Sequence, residues 1–159
     1  MAIHTWFECK IRYEKVMENG MQKKVTEPYL VDALSFTEAE ARIIEEMTPF
    51  ISGEFTVSDI KRANYSELFP SDEESADRWF KCKLIFITLD EKSGAEKKTS
   101  TQVLVQAADL RDAVKKLDEG MKGTMADYQI GMVSETPLMD VYPYSAEPND
   151  KPEFDPSKA

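Results

Sequence analysis

The chain contains two related stretches of sequence. Trp6-Phe7-Glu8-Cys9-Lys10 returns 73 residues later as Trp79-Phe80-Lys81-Cys82-Lys83, and the offset then stays at 73 or 74. Further matches pair Lys23-Lys24 with Lys97-Lys98, Leu30-Val31-Asp32-Ala33 with Leu104-Val105-Gln106-Ala107, and Leu68-Phe69-Pro70 with Val141-Tyr142-Pro143. Solenoid repeats are shorter, at about 20–50 residues. The pattern therefore predicts a small structural unit that was duplicated and fused.

Each copy has the residue pattern of a β-β-α-β unit. In the first copy, residues 6–16 alternate between apolar and polar, as in a half-buried strand. Asn19-Gly20 predicts a hairpin turn, followed by a second strand over residues 23–33. Ser35 and Glu38 form a capping box before a helix, and a third strand with a bulge starts at Phe55.

The helices should present one apolar row to a sheet. In the first helix that row is Ala39, Ile43 and Met47. In the second helix, which Asp109 caps, the predicted inner row is Leu110, Val114, Leu117 and Met121.

These patterns predict an α+β fold, with two tandem β-β-α-β repeats packed with pseudo-twofold symmetry. Antiparallel-rich sheets are covered by two helices. The predicted parts are a first repeat (1–70), an exposed acidic linker (71–77), a second repeat (78–143) and a disordered acidic tail (144–159). Three strands and one helix bury little surface alone. We therefore expect the halves to pack through the apolar sides of their sheets, with Cys9 and Cys82 in related places inside.

The formal net charge of −10 argues against a polyanionic partner unless the charge is unevenly distributed. Three acidic segments, 38–46, 66–77 and 144–159, together account for all of it. The predicted strands are therefore free to carry local basic patches.

Candidate catalytic and metal-binding residues are few. His4, the single histidine, precedes the first strand, and the two cysteines fall at equivalent inward positions where small apolar side chains pack. No phosphate-binding loop, nucleophile elbow or metal motif occurs in the sequence. We expect no catalytic residue, no metal and no cofactor, and thus a protein that is not an enzyme.

Composition also bears on location. No segment approaches the roughly 20 apolar residues of a membrane span, so we expect no membrane partner. The N-terminal residues lack the pattern of a secretory signal, and two widely spaced cysteines suit a reducing compartment. The expected location is the cytoplasm.

One set of residues has the chemistry of a nucleic-acid-binding surface, because it combines aromatic and basic side chains on predicted strands. Its members are Trp6, Lys10, Arg12, Lys61, Arg62, Tyr65, Trp79, Lys81 and Lys83. Rings stack on bases and cations follow the phosphates of a single strand. The alternative is that both tryptophans cover core edges or seal the contact between the halves. Glu8 and Glu14 interrupt the first patch.

Two further functions stay open at this point. A protein-interaction or scaffold module would bind its partner through the acidic tail or through the apolar edge strand of residues 137–144. An enzyme would need a pocket between the halves with converging titratable groups.

Long runs of the chain resemble a known family. They are Thr26–Ala41, Ile60–Glu67, Trp79–Lys83 and Val105–Leu110. These runs are similar to an uncharacterised domain-of-unknown-function family of gut Bacteroidetes and their phages. The resemblance covers about residues 5–143. The resemblance supplies no catalytic or binding residues. Because some phage relatives are associated with replication genes, it implies single-stranded DNA binding in replication or phage DNA metabolism.

Overall fold

The computed structural model describes residues 5–124 and 127–143; His4 and the predicted tail 144–159 lie outside them. The described residues form eight strands in two four-stranded sheets and two helices, which confirms the mixed α+β class with mainly antiparallel sheets. None of these residues belongs to a helix with the length and apolarity needed to cross a bilayer. The chain divides into two compact units. Unit 1 joins Met1–Ala63 to the segment from Asp140, and unit 2 is Asn64–Met139.

Unit 1 contains one sheet and one helix. Its elements are β1 (Thr5–Val16), β2 (Gln22–Ala33), α1 (Phe36–Met47), β3 (Phe55–Ala63) and β8 (Asp140–Tyr142). The strand order is β3-β1-β2-β8, with β8 parallel to β2 and the other pairs antiparallel. The β1–β2 turn contains Gly20 at φ 82°, a conformation that glycine adopts without strain. The predicted hairpin and the predicted third strand are therefore both present. The predicted bulge in β3 is present too, since Asp59 pairs with Lys10 and Val57 with Ile11, which leaves Ser58 without a partner residue on β1.

Local hydrogen bonds explain where α1 begins. The Ser35 Oγ accepts from the Glu38 backbone N–H at 3.1 Å, and the Glu38 carboxylate accepts from the Leu34 N–H at 3.0 Å. This confirms the predicted N-cap, although Glu38 reaches one residue further back than in the usual capping box. The row Ala39, Ile43 and Met47 is buried, as predicted, and packs on the β1–β2 face that carries Phe7 and Cys9.

Unit 2 has the same kinds of element, but its short strand comes first in the chain rather than last. They are β4 (Glu67–Phe69), β5 (Arg78–Leu89), β6 (Glu96–Ala107), α2 (Leu110–Gly120) and β7 (Tyr128–Glu135). The strand order is β4-β6-β5-β7, with β4 parallel to β6. Asp109 caps α2 by accepting from the Asp112 N–H at 2.8 Å, while Asp112 accepts from the Ala108 N–H at 2.9 Å. Both helices thus start with reciprocal side-chain capping.

The predicted inner row of α2 is partly wrong. Leu117 is buried, but Leu110 is 51% exposed and Val114 is only half-buried. The buried row is Ala113, Leu117 and Met121, which has the same i, i+4, i+8 spacing as the inner row of α1. Leu110 is the first residue of α2, directly after the N-cap, and its apolar character alone does not show that this end of the helix is exposed.

The short strands β4 and β8 were not predicted as separate strands, and they change the boundaries of the units. β4 ends the first repeat in sequence yet pairs with β6 of unit 2, while β8 ends the second repeat and pairs with β2 of unit 1. Residues 64–70 and 140–143 therefore belong to the unit opposite to the one predicted. The cause is hydrogen bonding, since each three-residue strand adds in parallel to the second strand of the other sheet.

The predicted linker 71–77 is anchored on unit 2 at several points. The Ser71 N–H donates to the Gln106 side chain at 2.9 Å, and Ala76 is buried. The Lys116 ammonium donates to Ser71 Oγ at 2.9 Å and lies 3.1 Å from the Glu73 carboxylate. The acidic segment is thus exposed in its middle but held at its ends.

Each unit has its own core between its helix and one face of its sheet. Phe7, Cys9 and Ile11 pack under α1, and the corresponding Phe80, Cys82 and Leu84 pack under α2. One helix per sheet already covers the apolar face. Both cysteines are free and buried, as predicted for small core side chains. Burial raises the pKa of Cys9 to about 12, with a smaller effect of Glu8, and that of Cys82 to about 11.

Candidate functional site

The nine predicted nucleic-acid-binding residues are divided between the units. Trp6, Lys10, Arg12, Lys61 and Arg62 belong to unit 1, whereas Tyr65, Trp79, Lys81 and Lys83 belong to unit 2.

The basic residues of unit 1 are largely balanced by acids. Residues in register on neighbouring antiparallel strands share a face, so cross-strand partners show which charges meet. Lys61 stands opposite Glu8, with Nζ 3.7 Å from Oε2, and Lys10 stands opposite Asp59. Arg62 lies on the other face, opposite Phe7, and its guanidinium carbon is 5.5 Å from the centre of the Phe36 ring. Trp6 is half-buried on the balanced face.

Arg12 has no acidic residue opposite it on either neighbouring strand. Its cross-strand partners are Thr26 on β2 and Thr56 on β3, and its side chain is exposed. It makes no ion pair with any residue that the structure describes. Of the predicted residues in unit 1, Arg12 is thus the one best placed to bind an external anion.

In unit 2 the tryptophan does not offer a stacking surface. Trp79 is only 5% exposed, as the alternative interpretation predicted, and Tyr65 is half-buried. Lys81 stands opposite Ser134 and Leu104, and Lys83 opposite Met132 and Gln102, so neither faces an acidic side chain across the sheet. Both lysines are half-buried.

A groove with a volume of about 1010 Å³ lies at the free end of the β1–β2 hairpin in unit 1 and is here called the hairpin groove. It exists because β3 starts at Phe55, opposite Tyr13, so that β1 and β2 continue beyond the edge of their neighbour. The loop between α1 and β3 forms the other wall. The groove is open and large enough for a ligand of several rings.

The hairpin groove combines aromatic rings with a small excess of positive charge. Its rings and charged groups are Tyr13, Phe50, Phe55, Arg12, Lys15, Lys24, Glu14 and Glu54. Phe50 is 76% exposed on the loop. Glu14 stands opposite Lys24 across the hairpin, and Arg12 makes no such pair. An anionic ligand with flat rings fits this composition.

Behind the groove, a nearly buried carboxylate holds two of the groove residues. Glu27 is 13% exposed in its side chain; Tyr13 donates its O–H to Oε1 at 2.8 Å, and Lys15 Nζ lies 3.8 Å from Oε2. Tyr29 donates to the same Oε1 at a longer 3.4 Å. Burial, together with Glu27, raises the pKa of Tyr13 to about 12 and also raises that of Tyr29, so both phenols stay neutral.

Sequence reasoning identified Arg12 but missed the rest of the groove. Tyr13 looked like a core residue because it belongs to the inward row of β1, and Phe50 lies in the loop between α1 and β3, for which the sequence pattern suggested no function. The available signal was Phe50 itself, a large apolar side chain between Pro49 and the Ser52-Gly53 pair, where burial is unusual.

The segment predicted as a docking edge, residues 137–144, contains β8, which is the edge strand of the unit 1 sheet and pairs on one side with β2. Leu138 and Val141 are buried, and Leu30 pairs with Val141. Tyr144 and the tail lie outside the described residues.

Comparison with known proteins gives a family but no function. The model of the family described as Domain of unknown function (DUF4494) matches residues 5–144, nearly the whole chain. No curated protein matches it.

Proposed function

We propose a function from the geometry alone, because the chain belongs to the DUF4494 family, a domain of unknown function. The protein is a non-enzymatic binding protein, and the hairpin groove binds a single strand of nucleic acid. The observation that carries this proposal is the groove itself, whose lining includes the exposed Phe50 ring and Arg12, a cation with no ion pair among the described residues.

The physical basis is the same as in other single-strand binders. Stacking of a base on an aromatic ring contributes about 1–3 kcal/mol, and cations follow the backbone. Phe50 supplies an exposed ring, while Arg12 and Lys24 supply charge. The net charge of −10 does not prevent this, since the acidic segments 38–46 and 66–77 lie outside the groove lining.

The test is fluorescence polarisation with a labelled oligothymidylate, in salt rising from about 50 to about 200 mM. We expect binding at low salt that weakens as salt rises. Phe50→Ala should weaken binding roughly 5- to 100-fold because a stacking platform is lost. The matched control is Leu89→Ala, which removes an exposed apolar side chain from the hairpin of unit 2.

A second pair of variants tests the charges. Lys24→Ala should lower the affinity and the salt dependence, while Lys98→Ala, at the corresponding hairpin position of unit 2, should change neither. Absence of binding at low salt, or binding indifferent to salt, would contradict the proposal. Replication or phage DNA metabolism, and gut Bacteroidetes as the source, stay predictions from the resemblance.

A protein-interaction role is the second candidate, and the edge strand β7 favours it. No charged residue occurs between Tyr128 and Ser134, and Ile130 and Met132 are exposed, whereas the edge strand β3 carries Asp59, Lys61 and Arg62. Charges on edges prevent unwanted strand pairing, so an uncharged edge is open to an added strand. Lys81 and Lys83 on the adjacent β5 favour an extended acidic peptide as the partner.

Hydrogen exchange can test this second role. A capped peptide of alternating valine and glutamate should protect the β7 amides, and Ile130→Lys should remove the protection. A peptide of alternating valine and lysine is the control. Equal protection by both peptides, or none by either, would count against the acidic partner.

We also infer that the two units are diverged copies related by pseudo-symmetry. The supporting facts are the β-β-α-β order, which both units share apart from their short strands, and equivalent register pairs, such as Cys9 with Tyr29 in unit 1 and Cys82 with Val103 in unit 2. In unit 2, Phe86 and Thr101 occupy the places of Tyr13 and Glu27. The polar cluster behind the groove therefore belongs to unit 1 only.

A further inference from the structure

We propose that Glu27 limits the affinity of the hairpin groove for anions by holding Lys15, one of its three cations, while it fixes the Tyr13 ring in the groove wall. This inference rests on the proposed function, in that the anion is the phosphate backbone of a single strand. Glu27 is a positioning residue, since it does not line the groove itself.

The contacts show that Glu27 acts on the groove from behind. Its carboxylate belongs to the inward row of β2, in register opposite Ile11, which is fully buried. From there it meets two residues of the groove wall, through the Tyr13 hydroxyl at 2.8 Å and the Lys15 ammonium at 3.8 Å. One carboxylate therefore connects a ring and a cation of the same site.

The two contacts differ in strength. The Tyr13 hydrogen bond is short, and a charged acceptor strengthens it, so the ring is held firmly. The Lys15 pair is long, and Lys15 is 49% exposed. Exposed ion pairs contribute little to stability. A phosphate in the groove therefore competes with Glu27 for Lys15 on nearly equal terms, and part of the attraction is lost in breaking the pair.

Packing alone does not require a carboxylate at this position. In unit 2 the corresponding residue, Thr101, stands next to Phe86 and Leu84 on an equivalent sheet, and that unit has a complete core. The carboxylate in unit 1 accompanies the hydroxyl of Tyr13 and the ammonium of Lys15. Their counterparts are Phe86, which lacks a hydroxyl, and Thr88, which lacks a positive charge. The acid thus occurs together with the groove residues that it contacts.

Glu27→Gln is the direct test, because glutamine keeps an acceptor for the Tyr13 hydroxyl and removes the charge that holds Lys15. We expect oligothymidylate to bind about 2- to 5-fold more tightly at low salt. The slope of log K against log salt should steepen by about 0.7, the value for one more phosphate contact on a single strand. A merely structural role would weaken binding and leave the slope unchanged.

Lys15→Gln and the double variant complete a mutant cycle. Lys15→Gln alone should change affinity little, and it should abolish the gain when combined with Glu27→Gln. If the glutamine variant folds poorly, Glu27→Thr, which introduces the residue found in unit 2, takes its place and should give the same gain.

Inorganic pyrophosphate, measured by calorimetry, separates this inference from the proposed function. A gain in pyrophosphate affinity on Glu27→Gln without oligonucleotide binding by either protein would support the role of Glu27 and reject the nucleic acid. If the native protein binds the oligonucleotide but Glu27→Gln raises the affinity for neither probe, only the proposed role of Glu27 is rejected. If neither protein binds either probe, both proposals are wrong.

Discussion

Leu117→Ala is expected to lower the free energy of unfolding by about 2–5 kcal/mol, as large-to-small changes in a packed core do. Leu117 is fully buried in the inner row of α2, where it packs with Phe80, Cys82 and Val105 of the sheet. The small neighbour Ala113 cannot fill the space that is lost. The measurement is urea denaturation followed by circular dichroism.

Leu110→Ala is the matched control for Leu117→Ala. It removes the same atoms from the same helix, but at a side chain that is half exposed. We expect a change within about 0.5 kcal/mol, which is usual for surface positions. The sequence pattern alone assigned both leucines to the inner row. Equal losses of unfolding free energy at the two positions would show that Leu110 is buried like Leu117, as the sequence pattern predicts and the structure does not.

A rise in pH above 9 is expected to destabilise the protein through the two buried thiols. Burial raises the pKa of Cys9 from 9.0 to about 12 and that of Cys82 from 9.0 to about 11. Above pH 9 the unfolded chain therefore releases protons that the folded chain retains. Stability that is fully present below pH 9 is lost as the pH rises toward these folded-state values. The loss approaches roughly 1 kcal/mol per pH unit for each thiol.

Urea midpoints measured at pH 8, 9 and 10 test this expectation. The double variant Cys9→Ala, Cys82→Ala lacks both thiols and should lose a large part of the alkaline slope, although it starts from a lower stability. Tyrosine titration contributes near pH 10 in both proteins and cancels in the comparison. An unchanged slope in the double variant would mean that the thiols are not the groups responsible.

Much of the local structure followed from short-range patterns. Alternating residues on β1, the Asn19-Gly20 turn, the Ser35–Glu38 cap and the inner row of α1 all have the predicted form. Each depends on atoms within a few residues, so the sequence around it contains the needed information. The sequence also predicted the bulge in β3, because a change in the phase of apolar residues indicates an inserted residue.

The candidate site was much less predictable. Lys61 has the charge of a phosphate-binding residue, but the register of β1 and β3 sets it against Glu8. Trp79 has the ring of a stacking residue but is buried. The groove itself arises from the difference in length between the β1–β2 hairpin and β3, together with the position of Phe50 on the next loop. No local pattern reports such distances.

The sequence by itself determined the two-part plan of this protein, the kinds of element in each part and their order, because hydrophobic periodicity and caps act within single elements. Only the tertiary structure decided which unit each short strand joins, which cations are neutralised and where rings and charges meet. Those outcomes depend on strand pairing between residues far apart in the chain. β8 pairs with β2 across more than a hundred residues, and no periodicity within either segment specifies that choice.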